Sequence, residues 1–188
     1  MGSPSWCDDM DFVKRDSPLF WFLLALSMTA GLAAIGPQEK TLGENVRVVY
    51  LHGAWVLTAE LFLALASLTG LVGLLMRSDR WHAWSQALGR TGVIFWILYL
   101  PLSLWAMQAN WNGLFLAEPR FRVAFIFAVT GGLLQIGLTV IGHSALTSLS
   151  NFLFFVALEI ALSQADYVMH PPPSPIFRSG NFSLQLYL

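Results

Sequence analysis

The amino-acid sequence predicts an all-α fold, a polytopic transmembrane helical bundle with about five spanning helices. Hydrophobic residues make up 56% of the 188 residues and charged residues only 11%, with a mean hydropathy of +0.61. A soluble domain of this length carries more charge at its surface. The apolar residues also form segments close to the roughly 20 residues that a spanning helix requires. Backbone groups in lipid have no water to bond, so such segments must be helical.

The predicted spans are residues 19–35, 48–76, 91–108, 123–142 and 145–165. A short aqueous N-terminal arm, residues 1–18, precedes the bundle domain, residues 19–166, and an external proline-containing tail, residues 167–188, follows it. The arm is polar and acidic, unlike a cleaved signal peptide.

Charge and cysteine usage exclude several classes of function. The formal net charge of −1 gives no basic footprint for nucleic acid. Cys7 is the single cysteine, which excludes an internal disulfide framework and the Cys-x-x-Cys-His motif of covalent heme attachment. No pattern indicates a chemical catalyst, so we expect a protein that is not an enzyme.

Counting the crossings of five spans places several polar features on one membrane face. Taking the side of the N-terminus as face A, the loops 36–47 and 109–122 and the tail after Ala165 fall on face B. His52 and His170 therefore share face B, whereas His82 and His143 fall on face A. A site built from histidines is expected to pair His52 with His170.

Each histidine has an ordinary structural interpretation as well as a functional one. His52 lies within the first turns of the longest apolar segment, where it is a metal or heme ligand, a proton-handling group, or only an amphipathic residue at a wet helix end. His170 precedes the stiff run Pro171-Pro172-Pro173 and is either a ligand or an ordinary loop residue. His82 and His143 have the pattern of ordinary interfacial residues.

Two carboxylates occur inside apolar spans, where a functional role is the default hypothesis because such groups are costly in lipid. Glu60 is about 12 Å deeper than His52 along the same predicted helix. A protonated Glu60 bonded to a neighbouring helix and a proton relay both remain open. Glu159 has the same alternatives, with the further option of meeting water near the end of its span.

Three short stretches resemble the heme-handling integral membrane proteins of cytochrome c maturation, the heme exporter C-like family with a tryptophan-rich external loop. The run Asn45-Val-Arg-Val-Val-Tyr-Leu-His52 resembles the start of that family's second span. Trp111-Asn-Gly, followed by Glu118-Pro-Arg120, resembles its loop pattern Trp-Gly-x-Trp-Trp-x-Trp-(Asp/Glu)-(x or Pro)-Arg. Met169-His170-Pro171 resembles the surroundings of its second histidine.

The resemblance implies that His52 and His170 are axial ligands of a non-covalent heme b at the outer membrane face. It implies that the loop packs against the porphyrin through Trp111, Phe115, Glu118 and Arg120. Two neutral imidazoles on one iron are sound ligation chemistry. The resemblance implies a periplasmic heme chaperone as a partner. The other expected partners are the lipid bilayer, which follows from the composition, and further membrane subunits in a hetero-oligomer. The implied location is the bacterial inner membrane, as a multi-pass protein with a cytoplasmic N-terminus.

Departures from the family pattern favour a second hypothesis. Leu114, Phe115 and Ala117 stand where the family has further tryptophans, and residues 171–188 are too short and polar for its sixth span. The alternative is therefore a divergent member that acts as a structural or accessory transmembrane subunit of a larger respiratory or photosynthetic complex, without heme handling.

The positive-inside rule gives little help with orientation. The ten Lys and Arg residues divide equally between the two faces. Acidic residues on face B partly offset its positive charges, which gives face A a mild preference as the cytoplasmic side. The family resemblance implies the same orientation.

Overall fold

The computed structural model of the protein describes residues 18–38 and 42–168, and within these residues the fold is all-α, as the sequence predicts. The helices are α1 (Pro18–Ile35), α2 (Val46–Met76), α3 (Asp79–Trp111), α4 (Pro119–Ile141) and α5 (Ser144–Gln164). The predicted N-terminal arm, apart from Pro18, and His170 with most of the tail lie outside the described residues.

Four of these helices, α2 to α5, are long and apolar enough to cross a membrane. The chain is therefore a multi-pass membrane protein, with the lipid bilayer as its surroundings. Helix α1 is shorter, and it belongs to a compact unit separate from the one that α2 to α5 form. Proline at the start of α1 costs no helical hydrogen bond, and Gly36-Pro37 follows its end.

Helix α3 begins at Asp79, well before the predicted start of the span at residue 91. The sequence between the second and third spans is rich in charge and was expected to form a loop. The chain instead turns sharply at Arg77, which adopts the left-handed conformation (φ 50°) and donates its N–H to the carbonyl of Gly73. Asp79 then lies in the first turn of α3, where a negative charge is favoured by the helix dipole.

A belt of polar side chains joins α3, α4 and α5 inside the bundle. Asn151 Nδ2 donates to the carbonyl of Ser85 at 2.9 Å and lies 3.1 Å from Ser85 Oγ. Gln135 Nε2 donates to Asn151 Oδ1 at 2.8 Å. Ser85 Oγ in turn donates to the carbonyl of Ala66 on α2 at 2.8 Å, and His82 Nδ1 lies 2.7 Å from Ser148 Oγ. We call these five side chains, those of His82, Ser85, Gln135, Ser148 and Asn151, the polar belt.

Glycines allow the helices to approach closely at the polar belt. A Cβ on Gly89 would lie 2.6 Å from Asn151 Nδ2, and a Cβ on Gly70 would lie 2.8 Å from the carbonyl oxygen of Ser148. Small residues at such crossings are typical of helix packing in membranes, where close backbone contact replaces the hydrophobic effect. The polar belt and these glycines therefore fix the relative heights of α2 to α5.

The ends of helices α2 to α5 lie at similar heights where the α2–α3 and α4–α5 turns are, which we continue to call face A. At the opposite end of these four helices, face B, the helix ends lie at unequal heights. Near face A, the belt residues on α3, α4 and α5 each lie about 4–11 Å from the helix end on that side. Nearer face B, Trp96 Nε1 donates to the carbonyl of Ala124 at 3.0 Å, so these two residues of α3 and α4 lie at similar heights. Towards face B from this hydrogen bond, α3 continues for about 22 Å to its last residue, whereas α4 extends only about 7 Å to its first residue.

The hairpin of α2 and α3 therefore extends about 15 Å beyond α4 at face B. Asn45 Nδ2 donates to the carbonyl of Ala109 at 2.7 Å, so the two long helices remain paired to their tips. Helix α5 ends level with the start of α4, because Arg120 Nη1 reaches the carbonyl of Leu162 at 3.4 Å. The result is a step, with the α2–α3 extension as its wall and the ends of α4 and α5 as its floor.

Replacing Asn151 with alanine tests the polar belt. Asn151→Ala removes the bonds to Ser85 and leaves the amide of Gln135 without its partner, so we expect a loss of about 1–2 kcal/mol in the free energy of unfolding. Reversible unfolding by a denaturing detergent in mixed micelles measures it. Leu153→Ala, at an exposed position on the same helix, is the matched control and should change stability much less. Equal losses in both variants would contradict a role for the polar belt.

Candidate functional site at the face B step

His52 lies at the point where the cover of α4 and α5 ends. Residues 52, 59, 63, 66, 70 and 73 recur at helical spacing along one side of α2. Ala59, Leu63 and Ala66 are at most 3% exposed, and Gly70 and Gly73 are buried. His52 belongs to the same side of the helix but is only half-buried. The imidazole thus lies on the bundle-facing side of α2 at the level of the step, partly exposed but with its Nδ1 buried.

Tyr99 supports the imidazole from α3. The His52 and Tyr99 ring centroids are 5.7 Å apart with an interplanar angle of 57°. Tyr99 is itself held edge-on against Trp96, at 4.9 Å and 71°, and the hydrogen bond to Ala124 fixes Trp96. This chain of contacts connects His52 to the rigid core of the bundle. A ring placed in this way keeps few rotamers, which suits a ligand.

Arg120, one of the two arginines in the first turn of α4, brings a positive charge close to this cluster. Electrostatic interactions connect Arg120 to Tyr99 and to Glu60, and connect Glu60 to Glu159. The guanidinium also lies 4.5 Å from the ring centroid of Tyr167. Arg120 therefore joins the start of α4, the end of α5 and the first residues of the tail at the floor of the step.

The remaining loop residues lie nearer the top of the wall. Trp111 is the last residue of α3, about 18 Å along the helix from Tyr99. Its ring meets that of Phe115 edge-on at 5.9 Å. Leu114, Phe115 and Leu116 are 54%, 38% and 54% exposed, whereas Glu118 is 3% exposed at the start of α4. The structure thus places Tyr99 near both His52 and Arg120, and pairs Trp111 with Phe115 at a different height.

Tyr99 and the polar belt were missed by the sequence analysis. Tyr99 stands in an apolar span, where only its three-residue spacing from Trp96 distinguishes it. His82 was expected at the membrane surface, but it is 6% exposed within the polar belt. His143 is exposed and accepts a hydrogen bond from the N–H of Leu146, so it caps α5. The face A histidines therefore have structural partners.

Comparison with known proteins adds no assignment. No family model matches the chain, and neither does a curated protein or a solved structure. Within the described residues, no group of three or more His, Cys, Asp or Glu side chains is arranged to hold a metal ion. The class that the structure defines is an α-helical multi-pass membrane protein with a histidine at a step on one face.

Removing the Arg120 guanidinium tests how the floor of the step is held. Arg120→Gln loses both the bond to the Leu162 carbonyl and the contact with Tyr167, so we expect amide hydrogen exchange at residues 160–168 to rise by about fivefold, or about 1 kcal/mol. Mass spectrometry of peptides from this region measures it. Arg122→Gln, at an exposed position on the same helix, should exchange like the unmodified protein. Unchanged exchange in Arg120→Gln would refute the anchoring role.

Proposed function

We propose that the chain binds and handles heme at face B, with His52 as one axial ligand of a non-covalently held heme b. The observation that carries the proposal is the position of His52 on the bundle-facing side of α2 at the level where α4 and α5 end. A flat ligand resting in the step would meet the imidazole from the side. Neutral imidazole is an established axial ligand of heme iron.

The other side chains around the step fit the same ligand. Arg120 offers a guanidinium to the carboxylates of heme, which it binds through paired hydrogen bonds. The loop before α4 offers an apolar surface through three exposed residues, Leu114, Phe115 and Leu116. Trp111 and Phe115 would contact the upper edge of such a ligand, and the buried Glu118 would shape the loop that carries them.

His170 remains the proposed second ligand, although it lies outside the described residues. Tyr167 rests on Arg120 at the floor of the step. From there the backbone spans at most about 10 Å to residue 170. The described part of the tail therefore ends at the same end of the bundle as His52. A bound heme would supply an iron centre for ligand exchange with a periplasmic heme chaperone, in the bacterial inner membrane with the N-terminus cytoplasmic.

Absorption spectroscopy of the purified protein tests the heme proposal. We expect heme added to the detergent-solubilised chain to give a bis-histidine spectrum. His52→Ala should lower the affinity for heme by at least about tenfold, since one axial bond is lost, and His170→Ala should act similarly. Added imidazole should restore the low-spin spectrum of His52→Ala.

The control is His143→Asn, which preserves a side chain able to cap α5 and lies on the opposite face. It should bind heme like the unmodified protein. A colourless preparation that takes up no added heme would refute the proposal, as would an unaltered spectrum in His52→Ala.

A second candidate function is that of a structural or accessory subunit in a larger membrane complex. Glu159 favours it, because this carboxylate is exposed on α5 about 7 Å before the end of the helix. A charged group facing lipid at that depth is costly unless another helix covers it. Extraction in mild detergent, followed by native mass spectrometry, should then find a stoichiometric assembly that Glu159→Leu dissociates. A monomer in both proteins would exclude this candidate.

A further inference from the structure

Arg90 is an exposed arginine within the membrane-crossing helix α3. Its Cα lies about 16 Å from the start of that helix at face A. Its Nη2 donates to Thr139 Oγ1 at 3.1 Å, and Thr139 lies close to the face A end of α4. The side chain therefore runs back towards face A along the groove between α3 and α4. This is the direction in which long basic side chains reach for the polar surface of a bilayer.

Thr139 fixes the guanidinium in place. Thr139 Oγ1 donates its own proton to the carbonyl of Gln135 at 2.7 Å, so its lone pairs are available to accept from Arg90. Gln135 belongs to the polar belt, whose bonds hold α4 against α5. The position of the Arg90 side chain is consequently tied to the most rigid part of the bundle.

The charge of Arg90 has no counter-ion among the described residues. Guanidinium carries five N–H donors, and the hydrogen bond described above occupies one of them at Thr139. No ion pair joins it to a carboxylate in residues 18–38 and 42–168. An arginine facing lipid is stabilised by an anion, and phosphate suits its planar fork of donors. The lipid leaflet at face A is the nearest source of that anion.

The surface between α3 and α4 is apolar on the side of Arg90 towards the bilayer centre. Ile97 packs beside Gly132, at 3.5 Å from the position that a Cβ on that glycine would take. Exposed apolar side chains flank this contact at helical spacing, Ile94 near Ile97 on α3 and Ile136 near Gly132 on α4. Because Gly132 has no side chain, an acyl chain can lie close to the α4 backbone beside Ile97.

We propose that the groove between α3 and α4 binds one anionic phospholipid from the face A leaflet, with its phosphate on Arg90 and an acyl chain along Ile97 and Gly132. Charge complementarity selects an anionic headgroup over a zwitterionic one. The apolar seam selects a lipid over a free anion. This site lies near the face opposite the His52 step and does not depend on heme binding.

Lipid titration followed by native mass spectrometry tests the site. The full chain is purified in a neutral detergent, and phosphatidylglycerol or phosphatidylcholine is added. We expect one phosphatidylglycerol to remain bound at concentrations where phosphatidylcholine does not. Arg90→Gln should weaken this binding by about tenfold, consistent with the loss of a charge-assisted hydrogen bond. Arg80→Gln, an exposed arginine near the start of the same helix, should bind like the unmodified protein.

Two further measurements keep the test decisive. Ile136→Trp fills the apolar groove while leaving Arg90 in place, so it should also weaken phosphatidylglycerol binding. Circular dichroism in detergent checks that each variant remains helical. Inorganic phosphate at millimolar concentration should not displace the lipid; displacement would identify an anion site and overturn the lipid proposal. Unaltered phosphatidylglycerol binding in Arg90→Gln would overturn it as well.

Discussion

The structure depends on one constraint, which is that helices of unequal length are held level at face A. The hydrogen bonds of the polar belt join α3, α4 and α5 at matching heights, and the bond from Ser85 to Ala66 adds α2. Because α2 and α3 are longer than their neighbours, the whole difference in length appears at face B. The step, and the half-buried position of His52 on the side of α2 where Ala59 and Leu63 are buried, follow from this alignment.

Hydropathy and composition were sufficient to predict the all-α membrane bundle, because lipid forces long apolar segments to be helical. They did not predict the start of α3, since the charged stretch from Asp79 to Arg90 has the composition of a loop. That stretch is helical because Ser85 and Gly89 face inward against Asn151, a contact between residues far apart in the sequence. The burial of His82 was missed for the same reason.

The candidate site, like the fold, was predicted only in part from the sequence. Counting spans placed His52 and the loop 109–122 on one face, and α2 to α4 have the connectivity that this requires. The sequence did not indicate that Tyr99 would lie against His52, or that Arg120 would interact with Glu60, because both depend on the relative heights of helices. The same heights separate Trp111 and Phe115 from the imidazole. Local patterns identify the residues of a membrane site more readily than their depth.

The central claim is that His52 is partly exposed at the step while Ala59, on the same side of α2, is fully buried. Single cysteines at positions 52 and 59, introduced into a Cys7→Ser background in membrane vesicles, test it by reaction with a membrane-impermeant maleimide. The account predicts that the His52→Cys protein is labelled from one side of the membrane only, and that the Ala59→Cys protein is protected from both. Protection at both positions, or equal labelling at both, would contradict the account.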